Sequence, residues 1–137
     1  MAANEYRKPL PIPQPHTRAF WQAARQNQLK IQKCRQCGHV QHYPRATCTA
    51  CWSAELDWQT CTGRGTVYSY TIAYRSTTPE FVNDDPYIVA IVELEEGVRM
   101  TTNIVDCPLT AIGVDMPVQV VFDHVTEEIA LPKFRPA

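Results

Sequence analysis

No stretch of the 137 residues approaches the roughly 20 consecutive apolar side chains that span a bilayer, so no membrane helix is expected. The opening residues, MAANEYRKPLPIPQPH, lack the apolar stretch of a secretion signal, and a cytoplasmic location follows as the expectation. Glycine is scarce, at five residues, and no Gly-rich phosphate loop occurs. Gly-x-Ser-x-Gly and His-Glu-x-x-His are also missing, which removes the hydrolase elbow and the helical zinc-protease site. There is no internal repeat beyond two cysteine pairs and no low-complexity segment. With 45% hydrophobic and 20% charged residues, the composition is that of an ordinary globular chain with room for one domain or two very small ones.

The net charge of −1 hides an asymmetry. Residues 1–64 carry nine Lys/Arg against three Asp/Glu, or +6, and residues 65–137 carry four against eleven, or −7. The split is either an uneven solvated surface or a sign that the two parts meet different partners. An acidic C-terminal part is a poor platform for nucleic-acid phosphates.

Four of the eleven prolines fall in residues 1–16, which read as an extended arm. A short helix follows, with Thr17 as N-cap, Phe20, Trp21 and Ala24 near one face, and an end at Gln26-Asn27. Phe20 and Trp21 either pack onto the rest of the fold or dock the helix onto another chain. LKIQK alternates as a strand, with Leu29 and Ile31 on one side, and ELDW is a second. Gly63 and Gly65 then break the chain before a β-rich run through Val67, Tyr68, Tyr70, Ile72 and Tyr74. YIVAIVELEEGVRMTTNIV reads as two strands turning near Glu96-Gly97, PVQVVFDHV as the next and EEIAL as the last. Five such strands close into a small barrel of the OB type, an open sheet being the alternative. The class is mainly β: an extended arm over 1–16, helix and ribbon over 17–60, and a barrel with a C-terminal tail over 61–137.

Cys34-x2-Cys37 and Cys48-x2-Cys51 are spaced for a tetrahedral site of four thiolates. Each pair makes a knuckle. Gly38 after Cys37 suits a left-handed turn, and Trp52 holds the matching place after Cys51. Zinc is the expected metal, one per chain, and iron in a rubredoxin-like site also suits four sulfurs. Because all four positions are protein sulfur, no water is activated there and the metal is structural. His39 and His42 read as exposed loop histidines, Cys61 and Cys107 as buried free thiols, and Asp84-Asp85 as the start of a turn. On residues alone this is a zinc ribbon on a β-barrel with no visible catalytic set.

The order FW, CRQCG, YPRATCTAC, ELDW, GRGTVYSYT, DDPYIVAIVELEEG and LPKFRP resembles the zinc-ribbon plus OB-fold proteins once catalogued as a domain of unknown function. The resemblance covers about residues 16–136. It implies an accessory subunit rather than a free enzyme, one that pairs with a thiolase-like or lipid-transfer-protein-like acyl-CoA enzyme. Such partners include steroid side-chain aldolases, condensing enzymes and acyltransferases. The implied role is to bridge the partner and help complete its acyl-CoA site, with a CoA thioester held jointly and a 2:2 heterotetramer as the expected assembly. The candidate contacts to partner or acyl-CoA are Phe20, Trp21, Tyr43 and Arg45, with Phe81, Pro86 and Tyr87 in the long loop between two strands and Trp52, which either anchors an interface or covers the small ribbon core. Arg45 can fork onto a phosphate or carboxylate, or form an exposed ion pair on the ribbon. Two other functions compete. A single-stranded nucleic-acid module would use Tyr68, Tyr70 and Tyr74, which at even spacing share a strand face. A small independent enzyme would use the metal, Cys61 or Cys107.

Overall fold

The computed structural model describes residues 8–74 and 86–137. Helix α1 (Arg18–Arg25) buries Phe20, Trp21, Ala23 and Ala24. Thr17 stands at its N-cap position, but its hydroxyl makes no cap bond. It accepts the Gln14 N–H at 2.8 Å and donates to the Gln14 carbonyl at 3.3 Å, because the arm turns back on itself there. The helix ends where expected. Asn27 takes the left-handed conformation, and the Gln28 and Asn27 N–H groups bond back to the Ala23 and Ala24 carbonyls.

Strand β1 (Lys30–Cys34) is the centre of a three-stranded ribbon sheet, between the short β2 (Val40–Gln41) and β3 (Leu56–Thr60). Both pairings are antiparallel, with Ile31 opposite Gln59 and Lys33 opposite Val40. The remaining strands are β4 (Arg64–Ala73), β5 (Tyr87–Leu94), β6 (Arg99–Ile104), β7 (Pro117–His124) and β8 (Ala130–Pro136). They form a closed barrel in the order β4-β5-β6-β8-β7, so the OB-type arrangement holds and the open sheet does not. Ladders are antiparallel except for β6 and β8, which close the barrel in parallel at Ile104 and Phe134. The β5–β6 turn falls at Glu95-Glu96-Gly97, with Gly97 left-handed.

Two readings of the strands change. Gly65 does not interrupt the chain but lies inside β4, bonded to both β5 and β7. A Cβ there would stand 2.5 Å from the Glu93 carbonyl oxygen, so only glycine admits the close approach. The last strand runs from Ala130 to Pro136, beyond EEIAL, despite its prolines. Pro132 and Pro136 share the parity of Phe134, whose carbonyl accepts from the Val105 N–H on the β6 side. Their missing N–H groups thus fall away from the continuous β7 ladder, where no bond is lost.

Alternation along β5 buries Ile88, Ala90, Val92 and Leu94. These join Val67, Met100, Ile104, Val118 and the fully buried Phe134. Phe20, Trp21, Leu29 and Ile31 belong to the same cluster, so helix and ribbon share one apolar core with the barrel. The Phe20 side chain, 2% exposed, serves packing and offers no surface to another chain.

Candidate metal centre and ribbon groove

Cys34 ends β1, and Cys37 follows through a turn closed by the Gly38 N–H on the Cys34 carbonyl. Cys48 and Cys51 repeat the turn, with the Trp52 N–H on the Cys48 carbonyl. Gly38 and Trp52 both have positive φ, 78° and 70°. The two knuckles bring the four sulfurs within 4.8 Å of one another. Cys34 and Cys51 Sγ are 3.5 Å apart and Cys37 and Cys48 Sγ 3.6 Å. A zinc tetrahedron with Zn–S near 2.3 Å sets its sulfurs about 3.8 Å apart, so the cage has the right size.

Its electrostatics also call for a cation. The Cys34 thiol is drawn down to about 7, first by the Cys37 backbone N–H and then, against desolvation, by the Gln36 N–H and neighbouring sulfurs. The Ser53 N–H favours the Cys51 thiolate, yet desolvation and the other three sulfurs push it up to about 12. Four thiolates cannot coexist here unless a positive ion neutralises them, which a divalent metal does.

Behind the knuckles lies a feature that pattern reading missed. Gln32 and Gln41, 3% and 6% exposed, form a buried amide pair. Gln32 accepts the Arg45 N–H and donates to the Arg45 carbonyl, both at 2.8 Å. Gln41 donates to Gln32 Oε1 at 2.7 Å and to the Thr47 carbonyl at 3.2 Å. Its own oxygen accepts the Thr49 N–H at 3.0 Å. Side-chain amides thus take the place of a strand ladder along residues 42–49. The available signal was a glutamine two residues before Cys34, on the strand face opposite Ile31.

The ribbon loop and the β5–β6 hairpin enclose an open groove of about 490 Å³. Tyr43, Arg45 and His42 line it from the ribbon, and Glu93, Val98 and Arg99 from the barrel. His42 is not an exposed loop histidine. Its ring is half-buried against Phe20 and Tyr43, and desolvation first, then the Arg45 charge, draws its pKa down to about 4. The Arg45 guanidinium lies 5.8 Å from the Tyr43 ring centroid, and Arg99 sits 3.7 Å over Tyr68 while pairing with Glu93 at 3.0 Å.

The candidate contacts do not gather in one place. Tyr43 and Arg45 stand at the hairpin end of β5. Exposed Pro86 and half-buried Tyr87 lie at its other end, about 20 Å along the strand. Trp52 projects from the second knuckle, 82% exposed. Trp21 lies in the core under the arm. Phe81, Asp84 and Asp85 lie outside the described residues.

Tyr68 and Tyr70 do not keep one register. A bulge between Val67 and Ser69 shifts the register, so Tyr70 lies opposite inward-facing Ala90 while Tyr68 stacks outside under Arg99. The even spacing therefore does not carry from Tyr68 to Tyr70, although Tyr68, Tyr70 and Tyr74 are all exposed. Cys61 is half-buried, and desolvation followed by Glu96 pushes its thiol up to about 12. A thiol raised in this way is mostly protonated at neutral pH and a poor nucleophile. Cys107 is also half-buried.

Comparison with known proteins agrees with this architecture. The family model described as ChsH2, rubredoxin-like zinc ribbon domain, matches residues 21–57. That described as ChsH2, C-terminal OB-fold domain, matches residues 58–123. A "DUF35 domain-containing scaffold protein" of Methanothermobacter thermautotrophicus is 42% identical over 97 residues, 70% of this chain and 72% of that protein. A "Probable enoyl-CoA hydratase alpha subunit" of Thermomonospora curvata is 42% identical over 120 residues. That match takes in 87% of this chain but 37% of the relative, so the chain spans a little over a third of that protein's length. The solved structure "Ltp2-ChsH2(DUF35) aldolase" superposes with a TM-score of 0.81 at 37% identity, covering 93% of this chain and 98% of the matched chain. No helix among the described residues is long and apolar enough to cross a membrane.

Proposed function

The chain belongs to the DUF35 family of ChsH2-type zinc-ribbon plus OB-fold proteins, and from this premise we propose that it is a non-catalytic accessory subunit of a thiolase-like acyl-CoA enzyme. The observation that carries the reading is the likeness to the ChsH2(DUF35) chain of an aldolase over nearly the whole length of both. The enoyl-CoA hydratase relative supports the same acyl-CoA context. The metal is zinc, one per chain, held by Cys34, Cys37, Cys48 and Cys51. The closed sulfur set gives it a structural task and leaves the chemistry to the partner.

In this reading the chain bridges its partner and helps complete the acyl-CoA site, so that a CoA thioester is bound jointly. Two copies sit on a partner dimer in the cytoplasm. Tyr43, Arg45, Trp52, Pro86 and Tyr87 are the candidate contacts, since all reach the surface to some degree. The partner's active site then decides between aldol cleavage, condensation and acyl transfer.

The test is affinity purification of the tagged chain from its native cells at moderate salt, with mass-spectrometric identification of bound proteins. A stoichiometric thiolase-like enzyme is expected. Recovery of the chain alone, or with single-stranded nucleic acid, would overturn the reading.

A further inference from the structure

From the geometry of the ribbon groove we infer that it seats an acidic segment of the partner acyl-CoA enzyme, one carboxylate of which pairs with the Arg45 guanidinium. This rests on the accessory-subunit reading and names the contact through which that subunit docks.

Arg45, like Arg18, Arg25 and Arg135, lacks the carboxylate partner that other arginines among the described residues have. Arg35 pairs with Asp57, Arg64 with Glu95 and Arg99 with Glu93, each at 3.0 Å. Among the described residues Arg45 has no carboxylate partner, and its guanidinium rests only near the Tyr43 ring. Yet its backbone is tied into the buried amide pair. Gln32 bonds both its N–H and its carbonyl, and Gln41 braces Gln32 from behind. Pro44, fully buried, anchors the residue before it. A buried polar network therefore fixes the backbone from which the Arg45 side chain reaches the groove, and an anchored attachment point lowers part of the entropy lost on binding.

The charge count selects the occupant. The groove is lined by Arg45 and Arg99 against Glu93, a surplus of one positive charge. His42 adds none at neutral pH. One carboxylate balances that surplus, whereas the phosphates of CoA carry several negative charges and would require more cations than the groove holds. A guanidinium lying near an aromatic face keeps its N–H edge free for the two oxygens of a carboxylate. Val40, Val98 and Tyr43 add apolar wall for the adjoining side chains of the segment.

The experiment uses the full zinc-loaded chain and the thiolase-like enzyme that co-purifies with it. Binding is measured by calorimetry over a range of NaCl for the native chain, Arg45→Glu and Arg45→Lys, with zinc content and circular dichroism as controls for folding. Arg45→Glu is expected to weaken binding about tenfold or more and to flatten its salt dependence. Arg45→Lys retains part of the affinity. Treated with a zero-length carbodiimide, the lysine variant is expected to join covalently to an Asp or Glu of the enzyme, mapped by mass spectrometry. The inference is overturned if Arg45→Glu binds the enzyme as tightly as the native chain with the same salt slope. It is also overturned if the lysine variant forms no such cross-link, or if the substitutions weaken only the binding of free CoA to the assembled complex. Should Arg45→Glu not fold, the lysine variant and its cross-link decide the matter. A native chain that binds no acyl-CoA enzyme at all removes the accessory-subunit reading and this contact together; a native complex indifferent to Arg45 removes only this contact.

Discussion

Trp52 holds a backbone conformation that its pseudo-symmetric counterpart gives to glycine. A non-glycine residue at φ 70° carries roughly 1–2 kcal/mol of strain, and an 82% exposed ring recovers little of it inside the chain. Trp52→Gly is therefore expected to leave unfolding free energy unchanged or to raise it by up to about 1 kcal/mol, since greater freedom of the unfolded glycine offsets part of the relief. A urea titration of the zinc-loaded protein checks this; a clear loss of stability would mean the ring packs within the chain. His42 gives a second prediction. Its folded pKa, about 4, lies below the ordinary histidine value near 6.5, so the folded state favours the neutral ring. Its stabilising contribution is complete above the unfolded pKa and is lost as pH falls through the folded one. From pH 7 to pH 5 this amounts to about 2 kcal/mol. The thiolate cage also weakens in acid, but equally in wild type and His42→Phe. The difference between their pH profiles isolates the ring, and identical slopes would refute its role.

At the scale of the element, the ribbon loop is held by two amides where a larger domain would use a ladder or an apolar core. Gln32→Ala leaves the Arg45 N–H and carbonyl and one Gln41 donor without partners. The expected cost is about 1–3 kcal/mol, and the Arg45 amide should lose its protection from hydrogen exchange while the barrel amides keep theirs. Unchanged protection at Arg45 would show that the metal alone orders the loop. The bulge in β4 makes a related point about strands. From Tyr68 to Tyr70 the spacing is even, yet one extra residue in the pairing moves the two rings to opposite sides. Register depends on the partner strand, and period-two reading of a single strand does not see it.

At the scale of the whole molecule, metal and barrel are joined through one apolar cluster that includes Phe20, Leu29 and Ile31. Removing the metal should do more than loosen the knuckles. With a strong chelator present, the barrel itself is expected to melt at a lower temperature than in the zinc-loaded protein, as followed by near-ultraviolet circular dichroism of its tyrosines. A barrel transition indifferent to chelation would mean the ribbon rides on the barrel without supporting it. The four-cysteine cage was readable from the sequence because chelation depends on local spacing. The helix and its end were readable from side-chain periodicity and an asparagine suited to a left-handed turn, and most of the barrel strands from alternation. The prolines of β8 hid most of its length, because whether a missing N–H matters depends on which neighbour it would face. The depth of Phe20 and His42, the split of Tyr68 from Tyr70, the glutamine brace and the placing of Arg45 and Arg99 on one groove were likewise decided only in three dimensions. Each depends on which surfaces of ribbon, helix and barrel come together over residues distant in the chain, and that is a property of packing rather than of any local pattern.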